Sequence, residues 1–483
     1  MIQTAPRHPW RPEDSRTALR GQVLVRLRPG EGPDDLPSQR LVRQNIHPAA
    51  MKLDGGPVDR AILRWSPSMR TSIVYDPARA IGSPRERAPG WDDLEQTLGL
   101  SRTYRVHLDP DAPVVAVMSA LREVGVVESV SPNYLCSTPF SQGEGREEPL
   151  ADPLWAWSMI GAEAARAREP GDSALIVAIV DSGVAMDHPD LRGYLRPGRD
   201  TVQVSAQRVS RGIEFFGDLE EPDDSPEDEV GHGTGCAGIV ASRGGAVPDG
   251  LGGACRVLPV RVLAAARYVD REVVTAIGSI ADIDEGVKAA VDLGARVLNL
   301  SFGTPAAALR DDDPLPHELA VRYALGRGCI LVAASGNSGL EEQYYPACMP
   351  GVIAVGAVGA DGRPTRFSTR GEHVSLCAPG VDIPTLALRG YGRQTGTSFA
   401  APFVTAACAL LAARAARLSR ALTPSLARAC LVGSARPFPP GTRSTGCGAG
   451  VLDLPAALAH LEQALRPADP AFRPQPAPAA LGS

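Results

Sequence analysis

The sequence predicts a doubly wound α/β protein, with a mostly parallel sheet flanked by helices and preceded by a smaller α+β module. Two observations carry this prediction. Between residues 174 and 465, short apolar runs recur, and such β-branched, near-continuous runs are typical of strands buried on both faces. The runs are LIVAIV, RVLPVRVL, RVLNLSFG, ILVAASG and VIAVGAV. Amphipathic segments such as ADIDEGVKAAVDLG and HELAVRYALGRG separate them and end in glycine, as helices do. This alternation favours a parallel sheet.

The upstream region has a different pattern, which predicts a compact α+β module over residues 20–136. TYRVHL, VVAVMSALREVG and VESVSPNYL read as strand, helix and strand, and GQVLVRL supplies an earlier strand. The middle of this module, residues 65–90, is rich in Pro, Arg and Ser and is predicted to be an inserted loop.

The remaining segments follow from composition. We expect an N-terminal arm over residues 1–19, a linker over 137–151, the main domain over 152–465 and a disordered Pro/Ala-rich tail over 466–483.

Composition excludes several classes of function. With 483 residues, a formal net charge of −6 and scattered arginines, the chain lacks the basic footprint of nucleic-acid binding. It has no apolar stretch typical of a signal peptide or a membrane span, so we expect no membrane partner and a cytoplasmic location, with secretion without a classical signal as the alternative. The nine cysteines form no C-x-x-C pair and are expected to be mostly buried and reduced, although one or two disulfides stay open.

Four polar residues stand where the predicted strands end or helices begin. Asp181 follows the LIVAIV strand, at the sheet edge where doubly wound folds place their sites. His232 lies between two glycines at the start of an apolar helix, and Asn337 lies in a glycine-rich turn after a buried strand. Ser398 heads the helix AAPFVTAACALL, in which Pro402 is expected to lie within about the first turn.

Each of these residues also has an ordinary structural explanation. The aspartate could cap a helix or bind a metal, the histidine could be a solvated helix cap, the asparagine could tolerate a left-handed turn and the serine could be an N-cap. Their occurrence together, at one predicted edge of one sheet, favours chemistry instead.

That chemistry is acyl transfer by an activated serine. A serine hydroxyl needs a base to take its proton, which His232 supplies, and the imidazole needs a buried carboxylate, which Asp181 supplies. The tetrahedral oxyanion needs donors placed in advance, and the Asn337 amide and the Ser398 backbone N–H at a helix N-terminus fit that need.

At these motifs the sequence resembles the subtilisin-like serine peptidases, or subtilases. IVDSGVAMDHPDL, GHGTGCAGIVAS, VLNLSFG, SGNSG and GTSFAAPFV occur in the family's order within residues 152–465. The resemblance implies a subtilisin-like fold and a serine endopeptidase that cleaves protein or peptide substrates through an acyl-enzyme. It assigns the nucleophile to Ser398, the base to His232, the orienting carboxylate to Asp181 and the oxyanion donor to Asn337. It also implies a substrate cleft, with an uncharged residue before the cut, lined by Ser301, Phe302, Gly303, Ala334, Ser335 and Gly336.

The segment VESVSPNYL resembles the end of a subtilase propeptide. This implies a ferredoxin-like N-terminal domain that acts as an intramolecular inhibitor until the chain is cut between residues 135 and 152. The alternative is an N-terminal domain that is never removed, and the sequence does not decide between the two. A runner-up function is a catalytically inactive subtilase-scaffold binding protein, against which the intact set of four residues argues.

The catalytic chemistry that the resemblance implies requires no cofactor. The resemblance also bears on a structural ion and on one cysteine. Asp190 of HPDL matches a calcium position of many subtilases, and GGAVPDG could add Asp249, which implies calcium as a structural ion. The acidic loop before His232 could bind calcium or favour basic substrates, or be a solvated loop. Cys236 is similar to the cysteine of proteinase K and kexin relatives and is either reactive or an inert buried thiol.

Overall fold

The computed structural model describes residues 17–33, 35–78, 90–138, 152–205, 212–269 and 274–466. The strands are β1 (Ala18–Leu27), β2 (Met69–Ile73), β3 (Thr103–Leu108), β4 (Val127–Ser137), β5 (Ile176–Asp181), β6 (Arg199–Asp200), β7 (Ile213–Phe216), β8 (Arg256–Arg261), β9 (Ala264–Tyr268), β10 (Val274–Ser279), β11 (Val297–Leu300), β12 (Thr304–Pro305), β13 (Ile330–Ala334), β14 (Tyr344–Tyr345), β15 (Ile353–Val358), β16 (Val374–Pro379), β17 (Ile383–Leu386) and β18 (Tyr391–Gln394). The helices are α1 (Gln39–Arg43), α2 (Pro57–Leu63), α3 (Asp93–Leu98), α4 (Val114–Arg122), α5 (Trp155–Met159), α6 (Ala162–Arg168), α7 (His232–Ala241), α8 (Ile280–Asp292), α9 (Glu318–Gly326), α10 (Thr397–Arg417), α11 (Pro424–Ser434) and α12 (Leu454–Ala464).

The centre of the molecule is a parallel sheet in the order β16-β15-β13-β11-β5-β8-β6. Every ladder in it is parallel. The five apolar runs correspond to β5, β8, β11, β13 and β15, so the predicted doubly wound sheet is confirmed. Strands β16 and β6 of this sheet were not expected from the sequence.

Helices cover both faces of this sheet, and the side chains of its central strands are therefore nearly all buried. In β5, Val177 and Ile179 face the core that contains α7 and α10, whereas Ala178 and Val180 face the core that contains α8 and α9. Helix α10 runs through the first core. Among the helices of the described chain it alone has the length and apolarity to cross a membrane, and 89% of its apolar window is buried inside the protein.

The N-terminal module is an antiparallel sheet in the order β2-β3-β1-β4, with α2 and α4 packed on it around Ile62, Val117 and Leu121. The prediction that residues 65–90 form an inserted loop is wrong for its first half. Met69–Ile73 is strand β2, paired with β3 from Met69 opposite Leu108 to Ile73 opposite Tyr104. The pairing partner comes later in the chain, so local composition concealed it. Residues 79–89 lie outside the described residues.

The module does not stop at the predicted boundaries of 20 and 136. Strand β1 begins at Ala18, and β4 runs on to Ser137, which pairs with Ile277 of β10. One mixed sheet of seven strands, β2-β3-β1-β4-β10-β9-β7, therefore joins the N-terminal module to the rest of the chain. Residues 1–16, 139–151 and 467–483, which carry most of the predicted arm, linker and tail, lie outside the described residues.

Buried charged contacts join the module to α8. Arg105 of β3 lies 2.6 Å from Asp282, and both side chains are fully buried. Lys288 lies 2.7 Å from Glu95 of α3 and 2.7 Å from Asp292. Such pairs are costly to break, because removing one partner leaves an uncompensated buried charge.

Candidate active site

Asp181 and His232 are brought together at the carboxyl edge of the parallel sheet. Asp181 is the last residue of β5 and is fully buried, and His232 is the first residue of α7. The Nδ1 atom of His232 lies 2.7 Å from Oδ1 of Asp181, which also accepts the backbone N–H of Ser182 at 2.7 Å. Among the described residues, the buried Nε2 atom of His232 has no hydrogen-bond partner. The pair therefore leaves one imidazole nitrogen available.

The turn before His232 is held by a residue that sequence reasoning missed. The carboxylate of Asp228 accepts hydrogen bonds from the backbone N–H groups of Gly231 and Thr234, both at 2.9 Å, and from the Ser182 hydroxyl at 2.9 Å. Burial raises the pKa of Asp228, which these hydrogen bonds oppose. In sequence Asp228 is one of many acidic residues in one loop, so only its burial distinguishes it.

Ser398 lies at the start of α10 but is not an N-cap. The helix begins at Thr397, and its N-cap position is Gly396, which has no side chain to cap the helix. The Ser398 hydroxyl donates instead to the backbone carbonyl of Ser301 at 3.3 Å. The His232 ring lies 5.1 Å, centroid to centroid, from the ring of the next residue, Phe399. The structure thus places Ser398 beside the Asp181–His232 pair, without a direct Ser398–His232 hydrogen bond.

Pro402 stands in the second turn of α10, not in the first turn as expected. A proline has no N–H to donate to the carbonyl four residues earlier, which here belongs to Ser398. That carbonyl accepts hydrogen bonds from the Ser301 hydroxyl at 2.8 Å and from the Cys236 thiol at 3.4 Å. The proline is tolerated because neighbouring elements satisfy the carbonyl it releases.

Cys236 is the buried thiol next to this site. Its sulfur lies 3.8 Å from Oδ2 of Asp181. Burial, and then the charge of Asp181, raise the pKa of Cys236 well above its ordinary value. Because the thiolate is the reactive form, this environment favours the inert thiol of the two alternatives. All nine cysteines are free, and all but Cys348 are buried.

Asn337 is fixed next to the start of α10. Its Oδ1 atom accepts the backbone N–H of Thr397 at 2.9 Å and the Thr397 hydroxyl at 2.8 Å. It follows Gly336, whose φ is +106°, and is not itself among the described residues with positive φ. Gly336, and not Asn337, thus adopts the positive φ of this turn. The Asn337 amide is held at Thr397, the residue before Ser398.

The end of β4 reaches Gly303, one of the residues predicted to bind substrate. The backbone of Gly303 exchanges two hydrogen bonds with Ser137, at 3.0 and 3.3 Å, while the N–H of Thr138 donates to Ala276 at 3.0 Å. The end of β4 therefore lies as an added strand between β10 and Gly303.

The remaining predicted cleft residues lie in or next to β11 and β13. Phe302 is buried, Ala334 ends β13 and Ser335 donates its hydroxyl to the carbonyl of Thr369 at 3.1 Å. The N–H of Gly336 donates to the Thr397 hydroxyl at 3.2 Å. The turn that follows β13 is thus hydrogen-bonded to the start of α10.

Asp190 lies beside Gly245, and Asp249 lies beside the adjacent Gly244. The N–H of Gly245 donates to Asp190 at 3.4 Å, and one Asp249 oxygen lies 3.1 Å from the guanidinium of Arg166. Calcium binding through Asp249 would compete with this ion pair, so the site as arranged gives calcium no support and calcium stays a prediction.

The acidic loop before His232 is partly neutralised by arginine. Asp200, Asp218 and Asp223 place carboxylate oxygens within 4.8 Å of one another. Arg261 lies 2.6 Å from Asp200 and 3.3 Å from Asp218. A guanidinium therefore already compensates this cluster.

Comparisons with known proteins identify the family of the chain. The model of the subtilase family matches residues 172–450. The chain is 33% identical over 310 residues to a thermophilic serine proteinase of Bacillus sp. strain AK1, covering 62% of this chain and 67% of that protein. It is 32% identical over 268 residues to thermitase of Thermoactinomyces vulgaris, covering 54% of this chain and 85% of that protein. A solved structure of the prenylagaramide maturation protease PagA matches with a TM-score of 0.49 and 28% identity, over 62% of this chain and 98% of that one. The chain belongs to the subtilase family of serine peptidases.

Proposed function

We propose that the chain is a serine endopeptidase in which Asp181, His232 and Ser398 form the catalytic triad. The observation that carries the proposal is the 2.7 Å contact between Asp181 and His232, beside a helix start that presents Ser398. In this proposal Asn337 donates to the oxyanion, and the N-terminal region, residues 17–138, inhibits the enzyme by occupying its cleft.

The first chemical step is attack of the Ser398 hydroxyl oxygen on the substrate carbonyl carbon. The hydroxyl leaves the carbonyl of Ser301, turns toward His232 and passes its proton to the available Nε2 atom. The buried carboxylate of Asp181 stabilises the imidazolium that results. The imidazolium then returns the proton to the leaving amine, which gives the acyl-enzyme, and water repeats the sequence to release the acid.

The oxyanion of the tetrahedral intermediate is placed at the N-terminus of α10. The N–H of Ser398 belongs to the first turn, where backbone donors lack partners within the helix. The Asn337 amide, whose oxygen is held by Thr397, supplies the second donor. In comparable sites, loss of one such donor costs about 3–4 kcal/mol of transition-state stabilisation.

Inhibition by the N-terminal region is supported by the path of β4. An extended peptide that adds a strand to a sheet edge forms the backbone hydrogen bonds seen between Ser137 and Gly303. The β2-β3-β1-β4 order, with helices between β1 and β2 and between β3 and β4, supports a ferredoxin-like propeptide. A peptide substrate would take the same groove once β4 has left it, with uncharged walls at Ala334–Gly336.

The proposal is tested by intact mass over time and by a fluorophosphonate probe, on wild type and Ser398→Ala. We expect shortening within residues 139–151 and labelling in wild type only. Labelling of a full-length chain would mean that the N-terminal region is permanent or is removed by another protease. Absence of labelling, even after controlled proteolytic removal of that region, would refute catalysis and support the inactive binding scaffold.

A further inference from the structure

The side chain of Cys136, in the strand that occupies the cleft, enters a buried polar pocket. Its sulfur lies 2.7 Å from the Thr304 hydroxyl and 3.1 Å from Nε2 of His317, and only 1% of Cys136 is exposed. Cys136 is the residue immediately before Ser137, which pairs with Gly303. Side chains alternate along a strand, so this pocket contacts the side chain at one defined position of any peptide that pairs with Gly303 as β4 does.

His317 is held in place from behind. Its Nδ1 atom lies 2.6 Å from Oδ1 of Asp284, and the ring is 2% exposed with Phe302 packed edge-on at 5.8 Å. The Tyr75 hydroxyl donates to the second oxygen of Asp284 at 3.3 Å. The carboxylate fixes Nδ1 as the donor toward Asp284, so Nε2 faces Cys136.

The electrostatics of the pocket favour a protonated imidazole. Burial lowers the pKa of His317, but Cys136 and Asp284 outweigh it and raise the pKa to about 10. A protonated Nε2 donates a hydrogen bond, and a buried donor that meets an aliphatic side chain is left unsatisfied. An apolar occupant such as leucine is therefore disfavoured relative to a small side chain with an acceptor atom.

We propose that His317, positioned by Asp284, is a specificity-determining residue of the cleft. It selects peptide strands that carry a small side chain with a hydrogen-bond-accepting atom, such as Cys, Ser or Asp, at the position before the residue that pairs with Gly303. The N-terminal strand meets this requirement through Cys136. The inference rests on the proposed function, since it assumes that β4 lies where substrates bind.

The first test measures how firmly the strand is held, without any need for activity. In full-length protein carrying Ser398→Ala, hydrogen exchange of residues 135–138 is followed by mass spectrometry for Cys136, Cys136→Ser and Cys136→Leu, each with His317 or with His317→Asn. Asparagine is chosen because His317 has a φ of +64°, which asparagine tolerates. Asp284→Asn is the second variant if His317→Asn does not fold.

With His317 present, we expect Cys136→Leu to speed exchange by about tenfold or more, the size expected for loss of a hydrogen bond to a charged group, and Cys136→Ser by less than about threefold. With His317→Asn, the exchange rates of the Cys136→Leu protein and of the protein that keeps Cys136 should differ by less than about threefold. The proposal would be overturned if Cys136 and Cys136→Leu exchanged at the same rate with His317 present. It would also be overturned if the effects of the substitutions at positions 136 and 317 on the exchange rate were simply additive.

The second test uses substrates. We expect wild type to prefer Cys, Ser or Asp over Leu at one position of a peptide library, through KM, and His317→Asn to lose that preference while still cleaving. An unchanged library profile would overturn the proposal. If wild type cleaves no peptide, the proposed function fails and the exchange experiment alone decides the role of His317.

Discussion

Removal of Arg105 should loosen the N-terminal region far more than removal of an exposed arginine in the same sheet. Arg105 and Asp282 lie 2.6 Å apart with both side chains fully buried, and Arg105 also donates to the carbonyl of Gln203 at 2.7 Å. Breaking a buried pair from one side costs about 3–5 kcal/mol. At about 1.4 kcal/mol per tenfold, Arg105→Met should increase the open population by roughly a hundredfold to several thousandfold.

The matched control is Arg20→Met, because Arg20 pairs with Asp111 at 2.8 Å but both side chains are well exposed, at 40% and 88%. Such a pair contributes at most about 1 kcal/mol. The assay is hydrogen exchange of residues 277–279, which lose their β4 partner on opening, in a Ser398→Ala background. An Arg105→Met rate within about threefold of wild type, or no greater than that of Arg20→Met, would refute the reasoning.

Three further outcomes follow from buried groups. Burial raises the pKa of Glu285 from 4.5 to about 8, so the docked form keeps a proton that the released form gives up. Docking should therefore weaken as pH rises from about 4.5 to 8, and Glu285→Gln should remove this part of the pH dependence of exchange, after correction for intrinsic rates. Gly233→Ala would place a Cβ against the carbonyl oxygen of Gly183 and 3.0 Å from the Cβ of Asp181. Overpacking of about 1–3 kcal/mol should shift α7 and reduce fluorophosphonate labelling at least tenfold, measured beside the thermal melting curve. Iodoacetamide should leave labelling of native protein unchanged, because Cys236 is buried with a raised pKa, and mass spectrometry should find Cys236 unmodified.

Much of the central sheet was predictable because its strands carry their own signal. Strands buried on both faces must be apolar throughout, so five runs could be recognised without knowledge of their neighbours. Asp181, Asn337 and Ser398 could be singled out for a related reason, since parallel strands and their following helices place polar residues at one sheet edge.

The parts that were not predicted depend on distant partners. Strand β2 lies in a Pro- and Arg-rich stretch and is recognisable only through its pairing with β3. Pro402 could move into the second turn because Ser301 and Cys236, far away in sequence, satisfy the released carbonyl. Asp228 and His317 acquire their roles only through burial, which composition does not report.

The mixed sheet that joins the two parts of the molecule has a consequence for the proposed release of the N-terminal region. Loss of β4 exposes β10 as an edge strand, with a row of backbone donors and acceptors that no longer have partners. Unprotected edges pair with any extended chain, including another copy of the same protein. If the N-terminal region departs as proposed, β10 therefore becomes a surface open to pairing, and high local concentrations of the released protein would favour self-association.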